Sequence, residues 1–265
     1  MLDPFAQLMQ RALIGGMLVG FVASYFGVFV VQRRMAFLGS GLSHAAFGGV
    51  ALGILLGMEP VFVAVPFTLA IAIAIVWIRE KTTLAEDTAI GVLFAVSMAL
   101  GGIFYYAKKD YGGDLFGYLF GNILMISKTD VGLAIAIAAA TVATFPLWGA
   151  WAYASFDRGL ARTDRLRVLW HDYALVCAVA IAVVVSIKIV GMLLVSAFLV
   201  LPAATARTVS RSFRQMTVIS IAIGSVTPAV GLYISYIAEL PSGATIILFQ
   251  AALFVLALGL RRIAQ

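Results

Sequence analysis

The sequence predicts an all-α bundle of about eight to nine membrane-spanning helices. First, 63% of its 265 residues are hydrophobic and only 11% are charged, against about 25% charged in ordinary soluble domains. Second, apolar runs recur along the whole chain, each roughly 20 residues long, enough for a helix to cross a hydrocarbon layer about 30 Å thick. Third, the runs do not alternate between apolar and polar residues as the strands of a membrane barrel do. The chain therefore reads as a single transmembrane domain over 1–265, with no room for a soluble one.

Candidate spans fall at 11–31, 42–57, 60–78, 87–107, 130–154, 171–188, 190–207, 215–237 and 243–260. The net charge of +6 does not point to nucleic acid, because the basic residues sit in the connections: Arg33/Arg34, Arg79/Lys81, Arg158/Arg162/Arg165/Arg167, Arg207/Arg211/Arg214 and Arg261/Arg262. These follow alternate spans, so placing them all in the cytoplasm satisfies the positive-inside rule and puts the N-terminus outside if there are nine spans. Lys108, Lys109 and Lys188 are the exceptions. The segment before the first span lacks the basic residues of a cleaved signal peptide.

Small residues four apart, at Gly16 and Gly20 and at Gly49, Gly53 and Gly57, clear a stripe along which helices approach closely. The glycine-interrupted stretch from Asp110 to Ser127 reads as a short or re-entrant helix packed against protein. Ser155 to Trp170 is the most charged stretch; its apolar positions fit either a short amphipathic helix at the cytoplasmic face or a solvated loop. Pro202 and Pro228 lie inside apolar runs, where proline kinks or interrupts a helix. The single cysteine, Cys177, reads as a small buried hydrophobe and excludes an intramolecular disulfide.

Chemistry converges on the stretch from Arg33 to Gly53, which carries one of only two histidines in the chain. The imidazole of His44 is expected to face protein or water rather than lipid. Imidazole and carboxylate suit zinc and other divalent ions, so His44 with Asp87 or Asp114 forms a candidate transient cation site. The competing reading is a buried histidine satisfied by a backbone carbonyl. His171 opens the sixth span as an ordinary interfacial residue. No Gly-x-x-x-x-Gly-Lys-Ser/Thr or His-Glu-x-x-His sequence occurs, so enzyme chemistry is not expected, no resident cofactor is implied, and any ATP hydrolysis belongs to another subunit.

The run Arg33-Arg34-Met35-Ala36-Phe37-Leu38-Gly39-Ser40-Gly41-Leu42-Ser43-His44-Ala45 resembles the arginine-rich turn and Gly-Asp-x-x-x-His segment of the permease subunits of bacterial ABC importers for zinc, manganese and iron. Supporting matches run in the family's order: Glu86 to Gly91, Asp114 to Asn122, Val190 to Val195, Pro202 to Arg207 and Leu240 to Ala244. The zinc branch is the more similar in Tyr118 to Asn122 and in Ala206 to Ser212.

The resemblance implies a type II ABC importer-like permease in the bacterial inner membrane, assembled from two copies of the chain in lipid. It also implies a cytoplasmic ATPase dimer and an extracytoplasmic metal-binding protein as partners. It makes the loop of about 155–170 a coupling loop, with Asp157, Leu160, Ala161 and Arg165 facing the ATPase. Two departures stand out: Ser40 replaces the family's usual aspartate, and Arg165 a usual glycine. The expected function is import of a divalent metal, most likely zinc among zinc, manganese and iron, by alternating access past His44. The rivals are a permease for an iron chelate or cobalamin-like molecule, a gradient-driven cation transporter, and a membrane scaffold.

Overall fold

The computed structural model describes residues 4–108, 123 and 126–263. The described residues contain helices and no strand: α1 (Pro4–Gln32), α2 (Phe37–Leu56), α3 (Pro60–Lys81), α4 (Glu86–Ala107), α5 (Lys128–Ala143), α6 (Trp148–Phe156), α7 (Arg158–Thr163), α8 (Val168–Val190), α9 (Met192–Val209), α10 (Phe213–Ala238) and α11 (Ser242–Ile263). Taking α5 and α6 as one interrupted span, nine spans among the described residues are long and apolar enough to cross a membrane. The segment from Asp110 to Ser127, read as a re-entrant helix, lies almost wholly outside the described residues, and Asp114 lies outside them.

Two helices are packed on nearly every side. α1 lies against α5, α8, α9 and α10, while α2 lies against α3, α4 and α9. Without a hydrophobic force between helices in lipid, close packing needs small residues at the crossings, and the glycine stripes supply them. A Cβ on Gly20 would stand 1.9 Å from the carbonyl oxygen of Gly224, and one on Gly49 2.6 Å from the Cα of Ala64. Gly27 crosses the backbone of α9 at Leu199, whose side chain also fills the space left by Gly39 of α2. Leu199 is therefore the wedge between the α1 and α2 halves of the bundle.

The sequence reading departs from the structure at three points. The second span begins at Phe37 rather than 42; the arginine turn occupies only 33–36, closed by Met35 N–H donating to the Val30 carbonyl and by Arg34 in the left-handed region at φ 60°. The fifth span is broken between α5 and α6 by a 3₁₀ turn at Phe145–Leu147, because Pro146 has no N–H to continue the helical ladder. Pro202 and Pro228 interrupt nothing: α9 and α10 run continuously through them. The ring of Pro228 instead packs in the space over Gly16 and Gly20.

The arginine connections meet at one end of the bundle. Arg207 donates to the Val31 carbonyl there, and Tyr25, Phe29, Phe145, Trp151 and Phe213 interlock beside it. Lys188 lies at the opposite end, 3.6 Å from Glu59 and 3.7 Å from Asp130. There Asp130 also closes a capping box with Ser127 at the start of α5. Cys177 is half-buried on α8, as a small apolar residue is.

Candidate functional site

His44 lies in the third turn of α2, half-buried, with its ring edge-on to Phe94 of α4 at 5.0 Å. Its Nδ1 is 2.8 Å from the Ser40 carbonyl oxygen. A carbonyl can only accept, so the hydrogen of the neutral ring sits on Nδ1 and the lone pair on Nε2, the arrangement in which an outer hydrogen bond orients a histidine toward a metal. The carbonyl partner expected of a merely structural histidine is thus present, and it occupies one nitrogen only. Ser40 Oγ stands 3.5 Å from the same Nδ1. One residue earlier, Ser43 is fully buried and faces Ser196 of α9, Oγ to Oγ 3.4 Å.

Among the described residues no carboxylate joins this histidine in a metal-holding group. Asp87 is exposed in the first turn of α4, with no ion-pair partner among the described residues. Seven residues separate it from the level of Phe94, about 10 Å along the helix axis. Its neighbour Glu86 is committed to Arg79 at 3.0 Å. Glu239 caps the far end of α10 in the left-handed region. Among the described residues no group of three or more His, Cys, Asp or Glu side chains is placed to hold a metal. One imidazole nitrogen with neutral hydroxyls nearby suits brief contact with a passing cation rather than tight capture, which passage requires.

A second polar centre went unnoticed in the sequence. Asp172, in the second turn of α8, is 0% exposed and accepts from three guanidinium groups: Arg33 at 2.5 Å, Arg79 at 2.7 Å and Arg158. Glu80 accepts from Arg158 at 2.7 Å and Arg162 at 3.2 Å, with Arg79 at 3.3 Å. Arg33 also grips Ser155 at the end of α6, 2.8 Å. Four arginines face three carboxylates, so the charges nearly balance, as buried ionic groups must. Burial pulls the Arg33 guanidinium below its ordinary value and Asp172 pulls it back; an arginine stays protonated under that contest. The available signal was an acid, Asp172, just inside an apolar run next to an arginine-rich connection.

The charged stretch forms the short helix α7. Asp157 caps it by accepting from the Leu160 N–H at 2.9 Å. Leu160 is exposed, and Ala161 is buried against Ala154 and Val168. Arg165 ends the turn at φ 61°, a backbone conformation that glycine adopts freely and an L side chain does not. Tyr153 donates to Asp164 across the same turn.

Nine candidate membrane spans among the described residues, an imidazole oriented within the second, and an arginine-rich end cross-linked through the buried Asp172 define a polytopic membrane protein. The chain belongs to the ABC 3 transport family, whose model matches residues 5–261. It is 34% identical to the manganese transport system membrane protein MntC of Listeria monocytogenes, over 94% of this chain and 89% of that one. It is 32% identical to the high-affinity zinc uptake system membrane protein ZnuB of Haemophilus influenzae, over 95% and 97%. Among solved structures it is similar to PsaBC of Streptococcus pneumoniae in complex with Fab, with a TM-score of 0.82, 33% identity, and 94% and 90% of the two chains covered. An inward-facing putative metal-chelate type ABC transporter shares the fold at 16% identity, with a TM-score of 0.75. Members of this family are transport subunits, and ATP hydrolysis resides in a separate partner.

Proposed function

We propose that this chain is the permease of an ATP-driven zinc importer. Two copies enclose the path, an extracytoplasmic protein delivers the ion, and a cytoplasmic ATPase pair drives alternating access. The observation that supports the choice of metal is His44: its Nδ1 faces the Ser40 carbonyl, and among the described residues no hydrogen-bond partner engages Nε2. Imidazole favours zinc, whereas carboxylate oxygens favour manganese. Asp87 and Asp114 remain helper candidates. The positive-inside rule supports a cytoplasmic arginine-rich end, and the reading that follows is an inner-membrane chain whose α7 meets the ATPase as the coupling helix. Its Leu160 side chain stands free to be covered by that partner.

Manganese is the second reading, supported by relatives named for manganese at 34% identity. The two separate in proteoliposomes holding the permease, its ATPase and the loaded binding protein. ATP-dependent uptake of zinc that excess manganese leaves largely intact is the expected result. Preferential uptake of manganese overturns the zinc assignment, and uptake without ATP overturns the ABC reading.

A further inference from the structure

Asp172 is wholly buried, and its carboxylate joins four pieces of the chain. Oδ1 accepts from Arg33 in the α1–α2 turn, and Oδ2 accepts from Arg79 of α3 and from Arg158 of α7. Glu80 of α3 ties α7 a second time, through Arg158 and Arg162. Otherwise α7 is held weakly. Ala161 is its one buried side chain and Leu160 is 53% exposed. The two arginines, rather than apolar packing, therefore fix how α7 lies against the bundle.

We infer that Asp172 is the positioning residue through which a displacement of α7 reaches the helix carrying His44. The inference rests on the reading of the chain as an ATP-driven permease whose α7 meets the ATPase. Guanidinium–carboxylate bonds are short and directional, and a buried pair escapes the screening that weakens surface charges. Because Arg79 and Arg158 share one oxygen of Asp172, a shift of Arg158 changes the bond available to Arg79. Through the other oxygen it changes the bond to Arg33. Arg33 stands four positions before Phe37, the first residue of α2, and Arg79 lies in the last turn of α3, which packs along the glycine stripe of α2. Both routes lead into the helix of His44, a contiguous set of contacts of the kind that carries coupling between distant sites.

Arg158→Gln is the informative variant. It removes the tie of α7 to Asp172 and leaves Arg162 as its link to Glu80, while Asp172 keeps Arg33 and Arg79, so no buried charge is orphaned. In proteoliposomes with the complete importer, metal uptake and ATP hydrolysis are measured on the same sample. The expected result is an assembled complex that still hydrolyses ATP but moves about fivefold less metal per ATP, or worse, with Arg158→Lys recovering most of the ratio. Glu80→Gln, at a partly exposed carboxylate, lowers the ratio less. A ratio in Arg158→Gln within about twofold of wild type, or loss of assembly in both Arg158→Gln and Glu80→Gln, assigns the network to scaffolding and overturns the relay. Absence of ATP-dependent uptake in wild type is a different failure, that of the importer reading itself.

Discussion

Gly27→Ala perturbs one of the tightest crossings of the bundle by a single methyl group. A Cβ built on Gly27 lies 2.1 Å from the Leu199 carbonyl oxygen and 2.9 Å from its carbonyl carbon. Even a close Cα–H···O approach needs about 3.3 Å between carbon and oxygen, so α1 and α9 must separate by roughly an ångström. The obstruction is backbone, and no side chain can rotate away. Separation also loosens Leu199 from Gly39, and a gap of 0.5–1 Å already forfeits about a quarter to a half of each dispersion contact. Overpacking of this kind costs about 1–3 kcal/mol or somewhat more, equivalent to a fall in melting temperature of roughly 5 °C for a chain of this size. Intrinsic tryptophan fluorescence of the detergent-purified protein reads the shift. Gly102→Ala is the control, since a Cβ there meets nothing within 4 Å. Equal melting temperatures for Gly27→Ala and Gly102→Ala would refute the claim that backbone contact at Leu199 holds the two halves together.

The other predictions concern charge, strain and donor chemistry. Asp172→Asn leaves three guanidinium groups around a neutral amide, two of them only 8% and 7% exposed, and is expected to cost about 3–5 kcal/mol. Adding Arg33→Gln should recover part of that loss, and a strictly additive double variant in the same melting assay would contradict direct pairing. Arg165→Gly relieves a left-handed backbone at φ 61° and should raise stability by up to about 1 kcal/mol; a lowered melting temperature would show that the Arg165 side chain matters more than its backbone. Ser40→Asp places a carboxylate one turn before His44 and should strengthen manganese as a competitor of zinc uptake, so unchanged competition would remove Ser40 from the selectivity argument.

The number and type of the spans were legible because length and hydropathy alone decide whether a helix can cross lipid. Local exceptions were harder to see. Pro146 resembled Pro202 and Pro228 in the sequence, yet only Pro146 stands at a break in secondary structure. The glycine stripes at Gly16/Gly20 and Gly49/Gly53 declared themselves by spacing, but their partners, Gly224 with Pro228 and Ala64 with Pro60, come from other helices.

The same reason explains the missed ionic centre. Arg33 and Asp172 lie 139 residues apart, and Asp172 is overshadowed by its neighbour His171, which has no comparable set of partners. His44 was found because an imidazole in an apolar run is rare, whereas the tautomer that frees Nε2 depends on its contact with the Ser40 carbonyl. Asp87 was proposed as its companion from proximity to an apolar run; it lies seven residues, about 10 Å along the axis of α4, from Phe94, whose ring meets His44.

Zinc uptake by the assembled importer, wild type against His44→Ala at equal complex content and equal ATP hydrolysis, tests the central claim most directly. The account predicts that wild type accumulates zinc only with ATP and that His44→Ala loses most of that uptake. Undiminished zinc uptake by His44→Ala would contradict a path through this histidine.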